Sequence, residues 1–176
     1  MSNGEMTIDF DKYASFVMNI FDLDINSKKN ITKVYKELNE NANDYYSDLL
    51  IEMRSKLIDM LDKIVETVPY SLIYDENVDI SSIYKAVNMR INQMDEDQLS
   101  QLCDFIRLER LVCGVSTFIV VNLKDYFNDD EINGLYEFIF YNKVNLIIIE
   151  SHQTSINCPY EKNWIIDNDN CIIEVN

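Results

Sequence analysis

The sequence predicts an α/β protein, with a parallel-sheet head at its C-terminal end and a long α-helical region before it. Three observations predict this. Two β-branched apolar runs, "STFIVVNL" (116–123) and "VNLIIIES" (144–151), flank the acidic-headed segment "NDDEINGLYEFIFYN" (128–142). Two buried strands separated by one helix make a βαβ unit with a parallel pair. Upstream, apolar residues recur at helical spacing through most of the first 112 positions. Finally, three glycines and two prolines in 176 residues leave little material for tight-turn β architectures.

The elements follow in order. Residues 1–26 read as a lead-in helix, because Tyr13, Phe16, Val17, Ile20 and Phe21 form a helical stripe within 8–21. The run "DLDINS" (22–27) breaks it and places Ser27 to cap the next helix, over 28–40. A longer helix spans about 45–67, with Leu50, Met53, Leu57, Leu61, Ile64 and Val68 along one side, and Pro69 ends it. "SLIYDE" (71–76) reads as a short strand. Helices over 80–91 and 97–112 complete a mainly helical region of 27–112. The second of them is apolar on most sides after Phe105, which places it between layers. The α/β head takes 113–176 and closes with two short strands around an Asp-Asn turn in "NWIIDNDNCIIEVN".

Composition narrows the function classes. Nearly half of the residues are apolar, so a packed core is expected. No apolar run approaches the ~20 residues that span a bilayer, and the start lacks the order of a signal peptide. Cys103, Cys113, Cys158 and Cys171 show no CxxC pair and no histidine at zinc spacing. They read as reduced core thiols in a cytoplasmic protein. A net charge of −16 repels phosphate backbones on average. Nucleic-acid binding therefore requires that the few cations be gathered in one place, or that divalent ions act as bridges.

In doubly wound sheets ligands gather at the carboxyl ends of the strands. Asn122, Lys124, Glu150 and His152, the single histidine, fall there. A nucleotide hydrolase also needs a glycine-rich loop whose amides approach phosphate, and no GxxxxGK[ST] exists. The sheet thus reads as P-loop-NTPase-like without the phosphate-binding loop. Ser151 and His152 are adjacent on a strand tip, which makes their side chains diverge, and there is no GxSxG elbow. No catalytic residue is assigned, and an enzyme is not expected.

The basic residues are more informative. Lys28, Lys29, Lys33 and Lys36 lie within nine positions. At 100° per residue the last three project within about 60° of one another, opposite Ile31, Val34, Tyr35 and Leu38. Glu37 and Glu40 follow Lys33 and Lys36 by four residues in the weaker orientation, so the stripe is clean at its start and compromised at its end. Three lysines on one rod bind DNA weakly, but a symmetric oligomer around a duplex turns them into a track. Arg54 and Arg110 interrupt apolar stripes, which suits subunit or layer interfaces. Asp75, Glu76 and Asp79 are candidate ligands for a hard cation such as calcium, without EF-hand spacing. Asp129, Asp130 and Glu131 are accounted for by helix capping and dipole.

Five segments taken in order carry a resemblance: "FDLDINSKKNITKVYKEL", "LIYDENVDISSIYKAVNMRI", "STFIVVNLKDYFNDDEINGLYEFI", "VNLIIIES" and "YEKNWIIDNDNCIIEV". From about residue 10 to the end the chain resembles the DNA-encircling ring proteins of type II-A CRISPR loci, the Csn-two family. The resemblance implies a homotetrameric ring with α/β heads and helical legs, holding double-stranded DNA in a lysine-lined opening and stabilised by Ca2+. It implies a non-enzymatic role in spacer acquisition beside the integrase proteins and the effector nuclease of the locus. It places Lys29, Lys33 and Lys36 where the leg begins, and Asp75 and Glu76 at the acidic position where such proteins bind calcium. Such proteins begin with short strands that complete the head sheet. Those strands are expected to be missing here, which exposes an edge of Phe118–Val121 or Leu146–Ile149. The alternative is a helical and α/β interaction module that never touches nucleic acid.

Overall fold

The computed structural model describes residues 10–93, 97–153, 161–167 and 169–175. The chain divides into two units. Residues 1–25 and 93–176 form a head unit, and residues 26–92 form a helical unit.

In the head unit a single helical turn, α1 (Phe10–Tyr13), leads into β1 (Ala14–Val17). The lead-in helix predicted for 8–21 is therefore corrected to a strand over its middle. Positions 13, 16 and 17 suit either period over so short a stretch, and the choice is made by a partner. That partner is β2 (Thr117–Val121), which β1 joins in parallel from Ala14↔Thr117 to Val17↔Val120. The other side of β2 pairs in parallel with β3 (Asn145–Ile149), giving the order β1–β2–β3. Among the described residues the head thus has one strand before the helical unit, contrary to the expectation that all such strands are missing. Phe118–Val121 is central, and of the two predicted edges only the Leu146–Ile149 strand is one.

Between β2 and β3 runs α5 (Asp129–Asn142), as the βαβ pattern predicts. Its start is a full capping box: Asn128 Oδ1 accepts from the Glu131 amide at 3.0 Å, and Glu131 Oε2 accepts from the Asn128 amide at 2.8 Å. Before β2 lies α4 (Gln98–Leu108), capped by Asp97, which continues as a π turn over Glu109–Cys113. Gly114 ends the turn at φ 72°, a left-handed position where glycine carries no Cβ penalty.

One face of the sheet is buried. Val17, Phe118 and Val120 meet Leu102, Phe105 and Ile106 of α4 and Ile132, Leu135 and Ile139 of α5 in the core. This corrects the boundary at 112. Leu102 and Ile106 are fully buried in the head core, so residues 93–112 belong to the head rather than to the helical region. The opposite face is barer, with Phe16, Ile147 and Ile149 each about half exposed. The closing hairpin of β4 (Asn163–Ile166) and β5 (Ile172–Val175) is antiparallel, and the amides of Asp169 and Cys171 donate to Asp167 Oδ1 at its turn.

The helical unit is built on α2 (Lys28–Val65). Ser27 caps it, accepting from the Asn30 amide at 3.3 Å. The two helices predicted for 28–40 and 45–67 are joined end to end, and Tyr46, at φ −133° and ψ 25°, marks the kink between them. A short helix, α3 (Ile80–Ala86), packs on α2. Tyr35 Oη donates to the Met89 carbonyl at 2.8 Å, and the Asn26 side chain exchanges two hydrogen bonds with the Ile91 backbone. The strand predicted over 71–76 is not formed. Ile73 is almost wholly exposed, and Tyr74 Oη donates to Asp62 of α2 at 2.5 Å instead. A strand needs a neighbouring strand to take its amides and carbonyls, and the elements before and after this segment, α2 and α3, are helices.

The cysteine reading is corrected in part. Cys103 and Cys113 are half-buried, Cys171 is exposed on the hairpin, and Cys158 lies outside the described residues. Burial pushes the Cys103 thiol up to about 11. Its thiolate population at neutral pH falls roughly a hundredfold as a result. A maleimide at neutral pH is expected to label Cys171 in the native protein and Cys103 only after denaturation, read by peptide mass spectrometry. Equal labelling of both in the native state would contradict this burial.

Candidate nucleic-acid interface

Cations are unevenly shared between the units. The helical unit holds nine Lys and Arg against eleven Asp and Glu, and the head holds six against twenty. The acidity of the chain is therefore mostly that of the head, and the helical unit is close to balanced.

Lys28, Lys29, Lys33 and Lys36 are all exposed on the first three turns of α2, while Tyr35 on the other side is buried against Tyr84, with ring centroids 5.4 Å apart. No acidic residue occupies the first turn. Lysines at the start of a helix face the positive end of its dipole, where cations are disfavoured. The dipole thus disfavours Lys28 and Lys29, while Lys33 and Lys36 lie beyond the turn where it acts. Lys36 Nζ lies 3.7 Å from Glu40, with both side chains well exposed, a weak pair of the kind worth at most about 1 kcal/mol. Side chains set this way on one rigid helix can neutralise phosphates but cannot read bases.

The acidic trio behaves differently from a metal cage. Asp79 is the N-cap of α3, and Ser81 donates to it through both its amide and its hydroxyl. Those bonds, helped by the charges of Lys85 and Arg54, hold its carboxyl below the usual range. Asp75 Oδ1 accepts from the Asn77 amide at 2.8 Å. Among the described residues no three His, Cys, Asp or Glu side chains converge on one point. The described residues do not bring together a complete calcium shell.

Arg54 is half-buried on α2, with a buried Nε that has no acceptor among the described residues, while Arg110 lies half-buried in the π turn. At the carboxyl end of the sheet the predicted polar residues do come together, as a lock. Asn122, left-handed at φ 52°, accepts from the Ser151 amide, and the Lys124 amide donates to Glu150 at 2.9 Å. Lys124 Nζ is buried against Glu161, 2.7 Å from one oxygen and 2.8 Å from the other, and Tyr136 Oη donates to the same carboxylate.

Ser151 and His152 do not diverge as expected. The strand ends at Ile149, and beyond it Ser151 Oγ sits 3.2 Å from His152 Nδ1, whose Nε2 is 3.5 Å from Asp125. The imidazole is more than half exposed, and the Ser151 amide is given to Asn122 rather than aimed at an oxyanion.

A profile of the family described as CRISPR-associated protein (Cas_Csn2) matches residues 3–170. The chain belongs to the Csn2 family. CRISPR-associated protein Csn2 of Enterococcus faecalis is 21% identical over 140 residues, which cover 76% of this chain and 62% of that relative. The chain thus spans less than two thirds of the length of this relative. Csn2 membership gives a CRISPR-associated role, and no described helix is long and apolar enough to cross a membrane.

Two features escaped sequence reasoning. Glu161 carried no signal, because its partners Lys124 and Tyr136 are distant in sequence. Lys85 lies opposite Lys36 across a groove between α2 and α3, and only the docking of those helices brings the two together.

Proposed function

We propose that this Csn2 chain binds double-stranded DNA without regard to sequence, as a homotetrameric ring that assists spacer acquisition and catalyses no reaction itself. Its partners on this reading are duplex DNA, further copies of the chain, and the integrase proteins and effector nuclease of its locus. The observation that carries the proposal is the lysine stripe exposed along one side of the opening turns of α2. A ring pools these scarce charges along an inner wall, so an anionic chain holds a polyanion.

Calcium dependence belongs to this reading, and since Asp79 is occupied in capping, Asp75 and Glu76 are the members of the acidic trio that would contribute oxygens. Light scattering with and without calcium, followed by addition of linear duplex, tests the whole reading. A tetramer that takes up duplex and loses it on chelation is the expected outcome. An oligomer that ignores duplex in either condition would favour an interaction module, for which Tyr45, Leu49 and Ile51, exposed on α2, provide apolar surface.

A further inference from the structure

Between α2 and α3 lies an open groove of about 240 Å³, lined by Thr32, Tyr35, Lys36 and Asn39 of one helix and Ser81 and Lys85 of the other. At 100° per residue the four α2 positions span about 100° of arc, with Lys36 at one margin. Lys29 and Lys33 continue the arc beyond that margin. The groove therefore borders the lysine stripe, and Lys36 belongs to both.

The donors in the groove decide what it can hold. Thr32 Oγ1 donates to the Lys28 carbonyl at 2.6 Å, Tyr35 Oη to the Met89 carbonyl at 2.8 Å, and the Ser81 hydroxyl to Asp79. All three hydroxyl protons are spent inside the fold. The ammonium groups of Lys36 and Lys85 remain, one on each wall. Lys36 lies 3.7 Å from Glu40, and the charge of Lys85 acts on Asp79, which is already committed to Ser81. Two ammoniums without a directional hydroxyl suit a phosphodiester, which needs charge, and not a base edge, which needs a fixed donor pattern. Asn39 Oδ1, also lining the groove, is buried without a donor among the described residues, and an occupant that brings water or a hydroxyl satisfies it.

The geometry points to this groove as a phosphate seat on the duplex track, with Lys85 as a DNA-contacting residue that works jointly with Lys36. The inference rests on the duplex-binding reading above and extends it to a second helix. It also accounts for sequence independence, because every phosphate in a duplex offers the same two oxygens.

Lys85→Ala is to be compared with Lys56→Ala, which removes the same charge from a lysine paired with Glu52 on α2. Affinity for a linear duplex of mixed sequence is measured across a salt series. Losing one phosphate contact takes about 0.9 from the log–log salt slope and about eightfold from affinity near 0.1 M salt. Lys85→Ala is expected to show that loss, Lys85→Arg to keep most of the affinity, and Lys56→Ala to stay within about twofold. Equal effects of Lys85→Ala and Lys56→Ala would overturn the seat. If the stripe variants still abolish binding in that case, the duplex-binding reading survives without it. Absence of duplex binding by the unaltered chain would remove both.

Discussion

Conversion of Lys29, Lys33 and Lys36 together to glutamate is expected to abolish duplex binding at physiological salt. Counterion release sets the scale: three lost phosphate contacts remove about 2.7 from the salt slope and on the order of several hundredfold from affinity near 0.1 M salt. The glutamates then add repulsion over a Debye length of about 8 Å. All three positions are exposed on α2, where single charges change folding little, and Lys36 loses a weak exposed pair with Glu40. Any dipole gain at position 29 is offset by like-charge contacts of the new glutamates with one another and with Glu37 and Glu40 at four-residue spacing. Circular dichroism and thermal unfolding should match the unaltered chain while gel-shift and fluorescence titrations lose the complex. A triple variant that keeps its affinity would remove the stripe from the interface.

The second large effect concerns stability. Lys124→Ala is expected to destabilise the head by about 3–5 kcal/mol, because it strands the Glu161 carboxylate in a site nearly closed to water. Tyr136 still donates to that carboxylate, but one neutral hydroxyl does not replace an ammonium that touched both oxygens. The loss should concentrate where Glu161 enters the closing hairpin. A two-stranded hairpin is marginal by itself, and the β4–β5 amides should exchange faster than those of β2. Combining Lys124→Met with Glu161→Leu should recover most of the loss, since a pair of apolar groups leaves no unpaired charge. Denaturant unfolding measures the first effect and hydrogen exchange the second. A cost below about 1 kcal/mol for Lys124→Ala would show that the pair is hydrated in solution.

These two predictions differ in how visible their residues were. The lysine stripe is local: four positions within nine residues, on a helix whose cap, Ser27, and buried side, Tyr35, were legible from spacing. The βαβ unit was legible for the same reason, since apolar runs and an acid-headed helix are each continuous in sequence. The Lys124–Glu161–Tyr136 cluster was not, because no spacing rule joins residues drawn from three separate segments of the head. The strand at Ala14–Val17 was misread for a related cause. Four residues satisfy either period, and hydrogen bonding to Thr117–Val120, about a hundred residues away, settles which one is used.

The acidic trio shows how little spacing says about convergence. Asp75, Glu76 and Asp79 are close in sequence, which invites a shared ion. The fold instead gives Asp79 to the start of α3 and turns Asp75 back on Asn77. Proximity along a chain does not make side chains converge.

By itself the sequence determined the α/β class, the parallel pair around α5, the capped start of α2 and the cations along it. All of these depend on periodicity and capping within a dozen residues. Tertiary structure alone decided that the strand before the helical unit pairs with β2, that residues 93–112 belong to the head core, and that Lys85 faces Lys36. The physical reason is common to all three: each outcome follows from which distant surface buries an apolar face or takes up backbone hydrogen bonds, and that surface exists only once the chain has folded.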